Sequence, residues 1–415
     1  MTTLIQLGEQ AKKAARFLAV AETKDKNLAL EAIVAQLKQD ESIILAANEK
    51  DLALAKENNV PETMMDRLLL TSDRLMTMCA DIESIIRLAD PIGLVDKMWK
   101  NADGLTIGKQ RVPLGVIGMI YEARPNVTTD AASLCFKSGN AVILRGGKEA
   151  FHSNQALVTS MQKALASVNF PEACIQFIAD TSRETAKAFM TLNGYLDVLI
   201  PRGGANLIQT VVKTATVPVI ETGTGNCHVY VDKDADLEMA LNIVMNGKTQ
   251  RPSVCNATET LIVHEAIAES FLPLLEVAMT PFHVELRADT LSSRYLSTSI
   301  PATEEDFKTE FNDFILAIKT VASAEEAIEH IQIYTTHHSE VIVTNNYTTS
   351  QSFLKQIDAA VVYVNASSRF TDGSAFGFGG EIGISTQKLH ARGPMGLNEL
   401  TSTKYIIYGS GQIRH

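Results

Sequence analysis

Apolar and polar positions divide the chain into regimes. Over roughly the first 90 residues the spacing is helical. From Ser72 the apolar positions Leu75, Met78, Cys79, Ile82, Ile85 and Ile86 recur at helical intervals, and Pro91 marks the end. The first twenty residues, MTTLIQLGEQAKKAARFLAV, carry Glu9, Lys12, Lys13 and Arg16 within their apolar pattern. They read as an amphipathic helix of the folded protein and not as a signal peptide. Residues 105–112 partly alternate like an exposed ribbon, and 112–121 is an uncharged, mostly apolar run, as in a buried strand. Further apolar runs follow at 116–121, 141–144, 175–178, 196–200 and 217–220, several separated by stretches long enough for helices. This rhythm predicts βαβ units and a parallel sheet covered on both faces. A second such stretch, about 228–364, has runs at 260–263, 315–318, 341–343 and 360–364. The segment 373–396 holds seven glycines, too many for a regular element, and predicts a long ordered loop near a site. Residues 404–408 read as a short terminal strand.

Composition bounds this picture. With 415 residues, 46% hydrophobic and 20% charged, disorder and collagen-like fibres are excluded. The length predicts two domains and a small appendage. A net charge of −11 argues against a clamp on nucleic-acid phosphates. No 18 consecutive residues lack a charge, so no membrane-spanning helix is expected. The five cysteines, Cys79, Cys135, Cys174, Cys227 and Cys255, are odd in number, scattered and free of any CxxC. They read as reduced thiols of a cytoplasmic protein. No zinc-ligand spacing occurs, and no protein-bound metal is expected.

Three glycine turns follow apolar runs: Leu144-Arg145-Gly146-Gly147-Lys148, Pro201-Arg202-Gly203-Gly204-Ala205 and Glu221-Thr222-Gly223-Thr224-Gly225. At the carboxyl ends of parallel strands such turns meet ligands, and the first two precede helices whose free N–H groups could face an anion. None is a GxGxxG or Walker motif, and each taken alone is also compatible with a plain tight turn. Cys255, in Gln250-Arg251-Pro252-Ser253-Val254-Cys255-Asn256, lies on a predicted loop beside Arg251, a setting that suits a nucleophile. Cys227 adjoins His228, but strand neighbours point to opposite faces, so no dyad is expected. Cys227, Cys135, Cys79 and Cys174 read as buried structural thiols. His330, His337 and His338 read as helix-end and surface groups. No GxSxG or HExxH motif is present.

Four segments in order carry a family resemblance: YEARPNVTTDAA (121–132), QRPSVCNATETLIV (250–263), VASAEEAIEHIQIYTTHHSEVI (321–342) and SSRFTDGSAFGFGGEIGIST (367–386). Over nearly the whole chain they resemble the aldehyde dehydrogenase superfamily, and within it, closely, the gamma-glutamyl phosphate reductase family. Thr335 departs from the glycine or serine expected in the third segment. Glu221 precedes Cys255 by 34 residues, as the superfamily's glutamate precedes its nucleophile.

The resemblance implies an α/β, aldehyde-dehydrogenase-like fold: two parallel-sheet α/β domains plus a small β oligomerisation arm. The implied NADP-binding domain is 1–100 and 113–227, with part of 365–400 returning to it. The implied catalytic domain is 228–364, and the arm is 101–112 with 401–415. The implied reaction is NADPH-dependent reduction of L-glutamyl 5-phosphate to glutamate 5-semialdehyde and phosphate, the second step of proline synthesis from glutamate. Cys255 would be the nucleophile, with its own N–H and Asn126 as oxyanion donors and Arg124 as the alternative to Asn126. Glu221 would lie near the site, with no general-base work assigned. Arg145, Lys148, Arg202, Gly203, Gly204 and Glu310 would hold the cofactor. Lys148 stands where NAD-using relatives often carry a glutamate, which predicts NADP over NAD. Arg251 and Arg369 would meet the substrate's phosphate and α-carboxylate. A homodimer or homotetramer is implied, without membrane or nucleic-acid partners, and a contact with glutamate 5-kinase is a partner to be tested. The competing readings are an NAD-dependent hydrolytic aldehyde dehydrogenase and a non-catalytic protein that keeps the fold.

Overall fold

Thr3 starts the first helix, Leu4–Leu18, through a capping box in which Thr3 and Gln6 each accept the other's backbone N–H. Ala11, Ala14, Ala15 and Leu18 form its buried stripe. Four more helices follow, at Thr23–Gln39, Glu41–Glu57, Glu62–Leu68 and Ser72–Arg87. In the last of these Thr71 caps the start, and Leu75, Met78, Cys79, Ile82 and Ile85 are buried, as the spacing predicts. The structure, a computed structural model, describes residues 3–60 and 62–414.

Two compact units emerge, Met1–Thr222 with Gly377–Gly383 and Met395–His415, and Gly223–Phe376 with Ile384–Pro394. The first contains a parallel sheet in the order Ile175–Phe177, Ala141–Arg145, Val116–Tyr121, Val198–Arg202. Val116–Tyr121 is buried at every position, which explains its uninterrupted apolar run. The run at 217–220 departs from expectation. Only Val219 bridges Leu199, because Pro218 has no N–H to extend a ladder.

The second unit is built on seven parallel strands in the order Ile300–Pro301, Glu285–Ala288, Ile315–Val321, Thr258–His264, Cys227–Val231, Ser339–Val343, Val361–Val364. Alternation along one strand feeds two cores. Val229 and Val231 pack with Leu261, Phe271 and Leu272, whereas Tyr230 packs with Ile262, Ile331 and Phe353.

A three-stranded antiparallel ribbon forms from Val95–Lys100, Thr106–Pro113 and Thr401–Tyr408. It groups with the first unit and begins earlier than the expected arm, taking in residues read from sequence as part of the NADP-binding domain. Every residue of Val95–Lys100 is exposed and its ladder is irregular between Val95 and Lys97, so no burial pattern marks it in the sequence. The domain boundary also differs. The second unit starts at Gly223 and includes 365–376, while the glycine-rich segment alternates between units and contributes the short pair Ile384–Ser385 and Gly393–Pro394. Among the described residues no helix is long and apolar enough to cross a membrane, and no group of three or more His, Cys, Asp or Glu could hold a metal ion.

Candidate active site

The nucleophile candidate lies on the turn between helix Leu237–Thr249 and strand Thr258–His264. Lys248, in the helix's last turn, and Glu259, in the strand's first, form a fully buried pair at 2.5 Å. Burial works against charge on both, lowering the Lys248 pKa and pushing Glu259 up to about 7 despite the attraction of Lys248. The pair ties together both ends of the loop that carries Cys255. Of the five cysteines Cys255 is half-buried and the other four are buried, as the sequence reading expects of them. Burial raises Cys79 and Cys135 and takes Cys174 to about 12.

Arg369 is gripped from both ends of the same loop. Its Nε donates to Gln250 Oε1 at 3.1 Å, and its Nη1 donates to Asn256 Oδ1. Asn256 Nδ2 in turn donates to the carbonyls of Arg369 (3.3 Å) and Thr371 (3.0 Å), and Ser368 Oγ donates to the Asn256 carbonyl at 2.7 Å. Burial and the neighbouring cation Arg251 lower the Arg369 pKa, whereas the charge of Cys255 and that of Asp372 raise it. Cys255, Arg251 and Arg369 are therefore brought into one electrostatic neighbourhood within the second unit. Glu310 belongs to that unit too, and its Oε1 accepts the Gly225 N–H at 2.8 Å.

The sequence assigns no role of their own to Gln250 and Asn256, and it marks Gly225 only as the end of a candidate ligand-facing turn. The signal for Asn256 was its place next to Cys255 in the quoted motif. Gly225 is explained by close approach, because a Cβ there would overlap the Cys255 carbonyl. Two histidines differ from expectation. His338 is fully buried, and His330 is buried beside Phe307 and Tyr334, its pKa pushed down to about 3 by burial.

Asn126, Arg145, Lys148, Arg202, Gly203, Gly204 and Glu221 belong to the first unit. Arg145 ends strand Ala141–Arg145, and its Nη2 donates to the carbonyls of Thr181 (3.0 Å) and Ser182 (2.9 Å). Its Nε is buried without a hydrogen-bond partner. Lys148 is exposed at the start of the short turn leading into helix Phe151–Ser167. Gly204 caps helix Ala205–Thr214 and donates its N–H to Glu122 Oε2 at 3.1 Å. A carboxylate of the chain itself thus occupies an anion position at a helix N-terminus. Arg202 lies 3.8 Å from Glu381. Asn126 is exposed in the first turn of helix Pro125–Lys137 and donates to Asp130 Oδ2 at 3.3 Å. Burial, reinforced by Asp81, pushes Asp130 up to about 7, with Asn126 and Arg202 acting in the opposite direction.

A family model described as "Aldehyde dehydrogenase family" matches residues 9–292. The gamma-glutamyl phosphate reductase of Enterococcus faecalis is 63% identical over 414 residues, covering 100% of this chain and 99% of that protein. The gamma-glutamyl phosphate reductase of Listeria monocytogenes is 60% identical over 415 residues, with 100% of both chains covered. The crystal structure of the gamma-glutamyl phosphate reductase of Thermotoga maritima superposes with a TM-score of 0.97 at 47% identity, covering 99% of this chain and 100% of that one.

Proposed function

The chain belongs to the aldehyde dehydrogenase family, and from that premise we propose that it reduces L-glutamyl 5-phosphate to L-glutamate 5-semialdehyde, releasing phosphate, in proline biosynthesis. The observation that carries the reading is the half-buried thiol Cys255 beside Arg251 and Arg369, in a chain with full-length likeness to reductases of that name.

An acyl phosphate brings an electrophilic carbonyl and a good leaving group. The Cys255 thiolate, favoured by the adjacent guanidinium groups, attacks the carbonyl carbon. The tetrahedral oxyanion takes the backbone N–H of Cys255, a class of contact typically worth about 2.7–4 kcal/mol. Collapse expels phosphate and leaves a Cys255 thioester. A reduced nicotinamide, held by Arg145, Lys148 and Arg202, would supply hydride when bound, and the thioester would pass to a thiohemiacetal anion. Collapse of that adduct gives the aldehyde and frees the thiol. Asn126, or Arg124 in its place, is the proposed second oxyanion donor. Glu221 is placed by its spacing alone and receives no general-base role, because water attack on the thioester would waste it.

The first unit's residues fit an anionic dinucleotide. Arg145 has a buried Nε without a partner and Lys148 is an exposed cation at the same strand end, while Arg202, Gly203 and Gly204 precede a helix N-terminus at which a cofactor phosphate would have to displace Glu122 from the Gly204 N–H. Since Arg145 Nη2 already binds two carbonyls, we assign most of the attraction for a 2′-phosphate to Lys148. Glu310 is retained as a cofactor contact and would exchange its Gly225 partner for a ribose hydroxyl. Arg251 and Arg369 serve the substrate's anionic groups. The exposed ribbon supports assembly into a homodimer or homotetramer, and reduced cysteines suit the cytoplasm. Replacing the thiol tests the chemistry: Cys255→Ala should abolish turnover while NADPH titration stays near wild type. Substantial reduction by that variant would exclude covalent catalysis.

A further inference from the structure

We infer that Cys227 is a positioning residue for the nucleophile, its buried S–H fixing the Cys255 carbonyl and, through that peptide, the direction of the Cys255 side chain. The inference rests on Cys255 being the nucleophile proposed above. Cys227 Sγ donates to the Cys255 carbonyl oxygen at 3.2 Å. Gly225 presses against the same carbonyl, so its oxygen is held by a donor and by a steric wall. The wall is itself anchored. Glu310 accepts the Gly225 N–H, and Asn226 Nδ2 donates to the carbonyls of Phe307 (2.7 Å) and Tyr334 (2.9 Å). The ladder between strands Cys227–Val231 and Thr258–His264 shifts register between Cys227 and His228, so Cys227 sits at an irregular point of that pairing.

The contacts close into a circuit. His338 Nδ1 lies 3.7 Å from Cys227 Sγ and 2.8 Å from Ser339 Oγ. Ser339 Oγ is 2.7 Å from Thr371 Oγ1, and the Thr371 carbonyl accepts the side chain of Asn256, the residue after the nucleophile. The peptide following Cys255 is thereby held on both sides by groups that belong to one buried network. Burial, and after it the charge of Glu340, push the Cys227 thiol well above its ordinary range. It stays protonated, acts as a donor, and adds no second anion beneath a Cys255 thiolate. By binding the carbonyl's negative end it also screens that thiolate from an unfavourable dipole.

The test compares Cys227→Ala with Cys227→Ser in the full chain. Steady-state kinetics are measured alongside the pH dependence of Cys255 alkylation by iodoacetamide and the thermal midpoint. Loss of one net hydrogen bond predicts that Ala lowers kcat about three- to tenfold, with KM little changed. The alkylation midpoint should move to higher pH. Serine keeps a donor and should recover most of both effects, a rescue that a purely packing role would not produce. The inference is overturned if Ala retains wild-type kcat and alkylation profile, or if Ser is as impaired as Ala. A wild-type enzyme lacking Cys255-dependent reductase activity would instead overturn the functional reading, and the alkylation profiles would still decide the role of Cys227.

Discussion

At the residue scale, the proposed cofactor choice turns on charge placement. Lys148 is exposed at a strand end, where the proposed 2′-phosphate needs a cation. Lys148→Glu should lower the ratio of kcat/KM for NADPH over NADH by at least about tenfold, since it exchanges attraction for repulsion at a dianion. An unchanged ratio would remove Lys148 from that role. Arg145 shows how far sequence reaches. Its position after an apolar run was legible, but its two bonds to the 181–182 carbonyls depend on a loop distant in sequence. Glu122 was invisible for the same reason: nothing beside it indicates that its carboxylate meets the N-terminus of the helix beginning at Ala205. Cys255 stands out in the sequence as the proposed nucleophile because the features behind that proposal, a loop position and an arginine nearby, are local.

At the element scale, the loop that carries Cys255, the proposed nucleophile, is pinned at its ends by Lys248 and Glu259. Removing one partner of a buried pair strands the other, so Lys248→Met should destabilise the protein by about 3–5 kcal/mol, seen in denaturant melts. It should also slow Cys255 alkylation by loosening the loop. The helix Ala324–Tyr334 supplies a pH-dependent term through His330, whose folded pKa of about 3 lies below the ordinary value near 6.5. Its neutral form is the one that folding accepts. The contribution is present above about pH 6.5 and is lost as pH falls, at up to about 1.4 kcal/mol per pH unit. His330→Phe should therefore lose about 2 kcal/mol less than wild type between pH 6.5 and 5, and parallel pH profiles would contradict this. Buried strands such as Val116–Tyr121 were readable because burial on both faces demands an apolar run. Strand Val95–Lys100 was not, because it buries nothing within the chain.

At the scale of the whole molecule, an acidic protein is proposed to bind two anions. The net charge of −11 therefore has to be opposed locally, by Arg145, Lys148 and Arg202 in one unit and Arg251 and Arg369 in the other. The antiparallel ribbon leaves Trp99, Tyr405, Ile407 and Tyr408 exposed, with Trp99 packed edge-on to Tyr405. Trp99→Lys combined with Tyr405→Lys should reduce the assembly measured by sedimentation to a smaller species, and an unchanged mass would remove these residues from the interface. In the proposed chemistry an acyl group passes between phosphate and the Cys255 thiol. The most direct measurement is NADP-linked oxidation of glutamate 5-semialdehyde, with and without inorganic phosphate. NADPH formation should require phosphate and rise with it to saturation. Oxidation that proceeds equally well without phosphate would mean that water takes the acyl group, and would rule out acyl transfer between Cys255 and phosphate.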